Sequence, residues 1–278
     1  MTAAHATIAR DFEPADLRPL LDACGIDRTV LVQSACTDGD TDAMFAQAAE
    51  HDWIAAVTAW VDLLSPAAAA ARLDVLALQP ALRGIRHLIH EEPDPHWILQ
   101  DTVLESLAAV EERGLVLELP CVFPRHLGDL PELAQRFPRL TIVIDHLAKP
   151  PLGTGRMDDW AAMLRRAADL PNVCAKVSGL NTMLPPGWAA SDLQPAVEVA
   201  VECFGPDRLM CGSDWPVSLL NGDYETVWQA TRAAITQVAG EAGAGRILED
   251  TPVRLYRLAA ESGAMSTTST GEAHGRAH

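Results

Sequence analysis

Seven short runs of β-branched and aliphatic residues alternate with longer alanine- and leucine-rich stretches, and that alternation limits the chain to a few architectures. Each short run has the length of a strand, and each long one repeats apolar residues three or four apart, as a helix buried on one face does. Repeated βα units of this kind build a parallel sheet covered by helices. The expected strands span 28–33, 54–61, 82–87, 114–119, 140–146, 172–178 and 208–214. Expected helices span 40–51, 102–113, 130–137, 157–170, 193–204, 224–239 and 252–260. Pro138, Pro171 and the Gly205-Pro206 pair fall just ahead of strands, where a helix must already have stopped. The expected fold is α/β, a TIM-type (β/α)8 barrel lacking its first strand, because residues 1–25 offer only a helix start around 11–17.

A chain of 278 residues, 49% of them hydrophobic, can close one large core, so one barrel domain is expected over 1–260. From 261 onward Ser, Thr, Gly and His leave little to bury, and a disordered tail is expected. No run of eighteen uncharged apolar residues and no basic-then-apolar leader occurs, which points to a cytoplasmic protein. The formal charge of −17, from 38 acidic against 21 basic residues, argues against nucleic acid or an anionic membrane as partner. A small-molecule substrate is the partner that remains. Cys24, Cys36, Cys121, Cys174, Cys203 and Cys211 include no C-x-x-C and read as reduced core residues rather than disulfides or zinc ligands.

A buried parallel strand should be almost continuously apolar, so charge at its carboxyl end needs a reason, and in barrels that end carries the site. Four strand ends are interrupted in this way: Gly84-Ile85-Arg86-His87, Ile144-Asp145-His146, Ala175-Lys176-Val177-Ser178-Gly179 and Cys211-Gly212-Ser213-Asp214-Trp215-Pro216. Alternation sets Met210, Gly212 and Asp214 on one face, with Gly212 leaving room below the carboxylate. A carboxylate held there could take a proton from water or ligate a metal; the plainer role is a loop or helix cap. By the same alternation His146 aligns with Ile142 and Ile144 toward the interior, and Asp145 points outward. An imidazole so placed could ligate a metal, polarise a carbonyl or shuttle a proton, or simply be a hydrogen-bonded core histidine.

Arg86 and His87 are adjacent, so one of them must lie past the strand end. Either could hold a substrate oxygen or carboxylate, or pair with Glu91 and Glu92. Lys176 in an apolar strand calls for an acidic partner or a depressed pKa, and a structural ion pair is as good a reading as a role toward substrate. Weaker candidates are His90, His96 and Arg125 in loops, with Trp215 and Tyr224 as pocket walls or plain core. No Gly-rich phosphate loop, G-x-S-x-G elbow or H-E-x-x-H occurs, so nucleotide-dependent, serine-hydrolase and zincin mechanisms have no motif to stand on.

Taken in order, these strand ends, with Arg10-Asp11-Phe12, Asp16-Leu17, Lys149-Pro150 and Phe204-Gly205-Pro206-Asp207-Arg208, resemble the amidohydrolase-related barrel proteins. The resemblance runs from about 10 to 258 and is to the branch holding sugar-lactone and dicarboxylate-lactone hydrolases. It implies hydrolysis of a cyclic ester, with Asp214 as base toward water and His146 supporting the carbonyl or a metal. Related barrels also decarboxylate aromatic acids, and an inactive barrel is the third expectation. Where such proteins use one divalent metal, zinc or manganese, the ligands include an H-x-H pair at the end of the first strand. No H-x-H occurs in this sequence, which leaves His146 and Asp214 as the remaining ligands and too few donors for a firm zinc site. The early Arg10-Asp11-Phe12 favours a sequence that begins inside a longer reading frame over a genuine variant.

Overall fold

The structure is a computed structural model and describes residues 3–258. The expected tail from 261 onward lies outside them. All seven expected strands form, each shorter than its apolar run: β1 (Thr29–Val32), β2 (Ile54–Ala59), β3 (Leu82–Arg86), β4 (Val116–Leu119), β5 (Ile142–Ile144), β6 (Val173–Val177) and β7 (Leu209–Cys211). They pair in parallel, in sequence order, as one curled seven-stranded sheet with β1 and β7 at its edges. This is the TIM-type barrel short of one strand.

Helices α1 (Pro14–Cys24), α2 (Asp38–Glu50), α3 (Pro66–Leu76), α4 (Asp101–Glu112), α5 (Leu130–Arg136), α6 (Met157–Ala168), α7 (Ala190–Phe204), α8 (Tyr224–Gly245) and α9 (Thr251–Leu255) complete the βα repeat. Of these, α3 was not expected; its Ala-rich run lacks the larger residues that mark a helical stripe, and only Ala69, Leu73 and Leu76 are buried. Buried residues of α6 show the stripe plainly, with Trp160, Ala161, Leu164, Ala167 and Ala168 facing the sheet.

Two faces of the sheet meet two different interiors. Outward residues such as Leu117, Leu119, Ile142 and Ile144 join the large core under the helices. Inward residues Val116, Val143, Cys174 and Met210 form a small apolar plug with Tyr256, just past the end of α9. Above the plug the inner face turns polar. Glu118, fully buried, accepts from Thr58 Oγ1 at 2.7 Å and from the Tyr256 hydroxyl at 2.5 Å, and pairs with Lys176. Lys176 also lies 3.1 Å from Asp145, which meets Arg86 Nε at 3.2 Å. Two acids and two cations thus neutralise one another through the barrel axis. Gly84 makes room for this column: a Cβ there would lie 2.9 Å from the Val116 carbonyl and 3.2 Å from Thr58 Oγ1.

Alternation along β5 runs opposite to the sequence reading. Val143 and Asp145 face inward while Ile142 and Ile144 face the helices, and Asp145 is only 1% exposed. The interior of this barrel is ionic above its plug, so the charged residue, not the isoleucines, belongs inside.

Candidate active site

His146 nevertheless reaches the barrel mouth, because the chain leaves β5 at Ile144 and enters a left-handed turn. His146, Leu147, Ala148 and Lys149 have φ of 53°, 49°, 58° and 55°. Such a run costs about 1–2 kcal/mol per residue without glycine, so neighbours must hold it. Leu147 and Ala148 are fully buried, the Trp160 indole of α6 donates to the Leu147 carbonyl at 2.8 Å, and the Phe123 amide donates to the Ala148 carbonyl at 2.9 Å. Asp145 anchors the start of the turn. Burial alone would raise its pKa, but Lys176 and Arg86 overcome that and hold it below the usual carboxylate range. Burial likewise works against the Lys176 charge, and Asp145 with Glu118 reverses it, so its pKa is raised.

Asp214 arrives by a turn as well. β7 ends at Cys211, and Asp214 itself has φ of 54°. Its carboxylate lies against the Cα of Gly179 (φ 63°), where a Cβ would come within 2.3 Å of Oδ2. Asn181 donates to the Ser218 carbonyl and Asn221 to the Asn181 carbonyl, both at 2.8 Å, which ties the loops after β6 and β7 together. Gly212 faces Ser178, whose Cβ would be 3.4 Å from an added methyl.

The structure therefore brings His146, Ser178 and Asp214 together. The His146 Nδ1 lies 2.8 Å from Ser178 Oγ, and its Nε2 lies 3.7 Å from Asp214 Oδ1. Both acid and imidazole keep some exposure, 17% and 13%. A separation of 3.7 Å is an ionic contact too long for a hydrogen bond and leaves a position that a water or substrate oxygen can share.

Around this pair the other expected residues divide. Arg86 meets Asp145 through Nε, which leaves its two terminal nitrogens for other partners. His87 turns away from Arg86: its Nδ1 accepts from the Trp60 indole at 3.0 Å, its Nε2 meets Glu92 at 2.7 Å, and its ring stacks on Trp97 at 4.0 Å. Burial lowers its pKa against the opposing pull of Glu92. Lys176 sits below the mouth in the ionic column. Trp215 packs edge-on against Phe12 at 5.1 Å, and Arg10 caps that Phe12 ring at 3.8 Å. Tyr224 is 3% exposed, with its pKa pushed up to about 12 by burial. His96 pairs with Asp129 at 3.0 Å, and Arg125 donates to the backbone carbonyls of Glu92 and Pro93.

Sequence reasoning passed over two residues of this arrangement. Ser178 fixes the His146 ring, and Glu118 partners Lys176. A lone acid in Leu115-Val116-Leu117-Glu118-Leu119 was the available signal for the second. As to a metal, His146 and Asp214 are two donors, and among the described residues no three His, Cys, Asp or Glu side chains converge as an ion would require. The donors among the described residues do not by themselves fit a resident ion. All six cysteines are free, three of them buried.

A parallel α/β barrel with ionisable groups gathered over the carboxyl ends of its strands has the architecture of a barrel enzyme. The chain belongs to the amidohydrolase family, whose model matches residues 1–258. It is 40% identical to an L-fucono-1,5-lactonase of Burkholderia ambifaria over 92% of this chain and 89% of that one. A second L-fucono-1,5-lactonase, from Burkholderia multivorans, is 34% identical over 81% and 79%. Among solved structures, a Burkholderia multivorans amidohydrolase with bound zinc superposes with a TM-score of 0.85 at 30% identity, covering 93% of each chain.

Proposed function

We propose that the protein hydrolyses a small sugar lactone, with Asp214 as the base toward water and His146 as its partner at the carbonyl. The observation that carries this reading is the 3.7 Å approach of the two side chains over the strand ends. The two related L-fucono-1,5-lactonases support the choice of a cyclic ester.

Asp214 takes a proton from a water, whose oxygen pair forms a bond to the lactone carbonyl carbon. The carbonyl π pair moves onto oxygen, and His146 with the free end of Arg86 meets the developing negative charge. Collapse breaks the bond between the carbonyl carbon and the ring oxygen. That oxygen leaves as an alcohol, taking the proton back from Asp214, and the product is a hydroxy acid. Ser178, bonded to Nδ1, holds the imidazole in the orientation this requires. Trp215 walls the side of the mouth toward β7, while Lys176 acts from below by neutralising Asp145. The six free cysteines suit a cytoplasmic setting. No helix among the described residues is long and apolar enough to cross a membrane.

The test is to incubate the purified protein with L-fucono-1,5-lactone and follow acid release together with loss of the ring carbonyl. Saturable ring opening well above the spontaneous rate is expected. Carbon dioxide release from an aromatic carboxylate, with no lactone turnover, would replace this reading with a decarboxylase.

A further inference from the structure

The loops after β3, β4 and β5 are braced into a single wall beside His146. Arg125 of the second loop donates to carbonyls of the first, at 3.0 Å for Pro93. His96 of the first pairs with Asp129 of the second at 3.0 Å, and the Phe123 amide reaches the Ala148 carbonyl of the third at 2.9 Å. Three nitrogen-bearing side chains stand on this wall with unused capacity.

His126 is 3% exposed, and its Nδ1 accepts from the Val122 amide at 3.0 Å. The ring proton must therefore sit on Nε2, which is buried and without a partner. An N–H so placed forfeits its hydration for nothing unless something arrives to accept from it. His90 also buries an unpartnered nitrogen, Nδ1, and it stands close enough to Lys149, Arg86, His126 and His146 for their charges to act on it. Burial first, and those neighbours second, lower its pKa to about 4; burial and Arg125 bring His126 to about 4 as well. Both rings are neutral at pH 7. Lys149 is half-buried at the end of the left-handed turn, and among the described residues its Nζ has neither an ion pair nor a hydrogen bond.

We propose that His126, His90 and Lys149 form the subsite that reads the ring hydroxyls of the substrate and so selects an uncharged polyhydroxylated lactone. This rests on the lactone reading above and names its specificity residues. Two neutral rings suit hydroxyl oxygens, which can accept from the His126 N–H and meet His90 Nδ1 in turn. Charge points the same way. Asp145 already answers Arg86, and His90 and His126 are neutral, so Lys149 alone would face the two negative charges of a dicarboxylate.

The experiment compares kcat/KM for L-fucono-1,5-lactone and for unsubstituted δ-valerolactone in wild type, His126→Phe, His126→Gln and His90→Leu. The ratio of sugar lactone to δ-valerolactone is expected to fall about tenfold or more in His126→Phe and His90→Leu. His126→Gln, which restores an N–H near Nε2, should recover part of it. Equal losses on both lactones would mean a merely structural role and overturn the proposal. Binding is read separately in the Asp214→Asn background, by tryptophan fluorescence on rapid mixing with the sugar lactone. There His126→Phe should raise Kd about tenfold, and an unchanged Kd overturns the subsite even if the catalytic reading stands. Should wild type open neither lactone, the catalytic reading falls while this binding comparison still decides the subsite. Tighter binding of a dicarboxylate lactone than of the sugar lactone would overturn the uncharged ligand.

Discussion

Gly179 sits at φ 63° with the Asp214 carboxylate pressed against it, so a single methyl there tests how closely the acid is held. Gly179→Ala must move Asp214, and a shift of about 1 Å in a catalytic group costs on the order of 100-fold in rate. The control is Gly25→Ala at the end of α1, where φ is 66° and nothing lies within 4 Å of the added carbon. Both variants carry the left-handed penalty of roughly 1–2 kcal/mol, measurable by urea denaturation. Only Gly179→Ala is expected to lose kcat/KM by about 100-fold as well. Equal kinetic losses in the two would show that the contact at Asp214 is incidental. At this scale the sequence was readable where a residue broke an apolar pattern, as Asp214 and Lys176 do. It was unreadable where the local path of the backbone decided, as at His146, whose left-handed conformation no strand alternation can anticipate.

Among the elements, β4, β5 and β6 are bound as much by charge as by their ladders. Glu118, Asp145 and Lys176 come from these three strands or their ends, and Arg86 from β3. Replacing Lys176 with Met would leave two buried carboxylates with one cation, a loss of about 3–5 kcal/mol for breaking a buried pair. Adding Glu118→Gln to Lys176→Met removes one of the stranded charges and should restore part of that stability. A double variant less stable than Lys176→Met alone would contradict the column. Strand positions were legible because buried parallel strands leave apolar runs, and seven of seven were found where expected. The inward face was not legible in β5, since a charged column and an apolar one give the same alternation with opposite sides inside. Glu92, five positions on, was legible as a partner for His87, but spacing could not show the Trp60 indole, 27 positions back.

At the scale of the whole molecule, three histidines among the described residues have their charged form disfavoured by folding. Burial lowers the pKa of His87, His90 and His126, the last two to about 4, while an unfolded histidine titrates near about 6.5. In the window between, the unfolded chain binds more protons than the folded one, so stability falls as pH drops from about 6.5 toward 4. Asp145 has a depressed pKa, and its contribution persists above the ordinary carboxylate range, near about 3.9, and is lost only on further acidification. The urea midpoint should therefore decline between pH 6.5 and 4, more gently in His126→Gln, and a midpoint flat through that window would contradict the burial of these rings. The central claim is narrower, that Asp214 is the base which activates water above the strand ends. Its most direct measure is kcat/KM of Asp214→Asn against wild type on L-fucono-1,5-lactone at pH 7. A fall of about 100-fold to 10,000-fold with unchanged unfolding is the expected result, and turnover within a few-fold of wild type would contradict it.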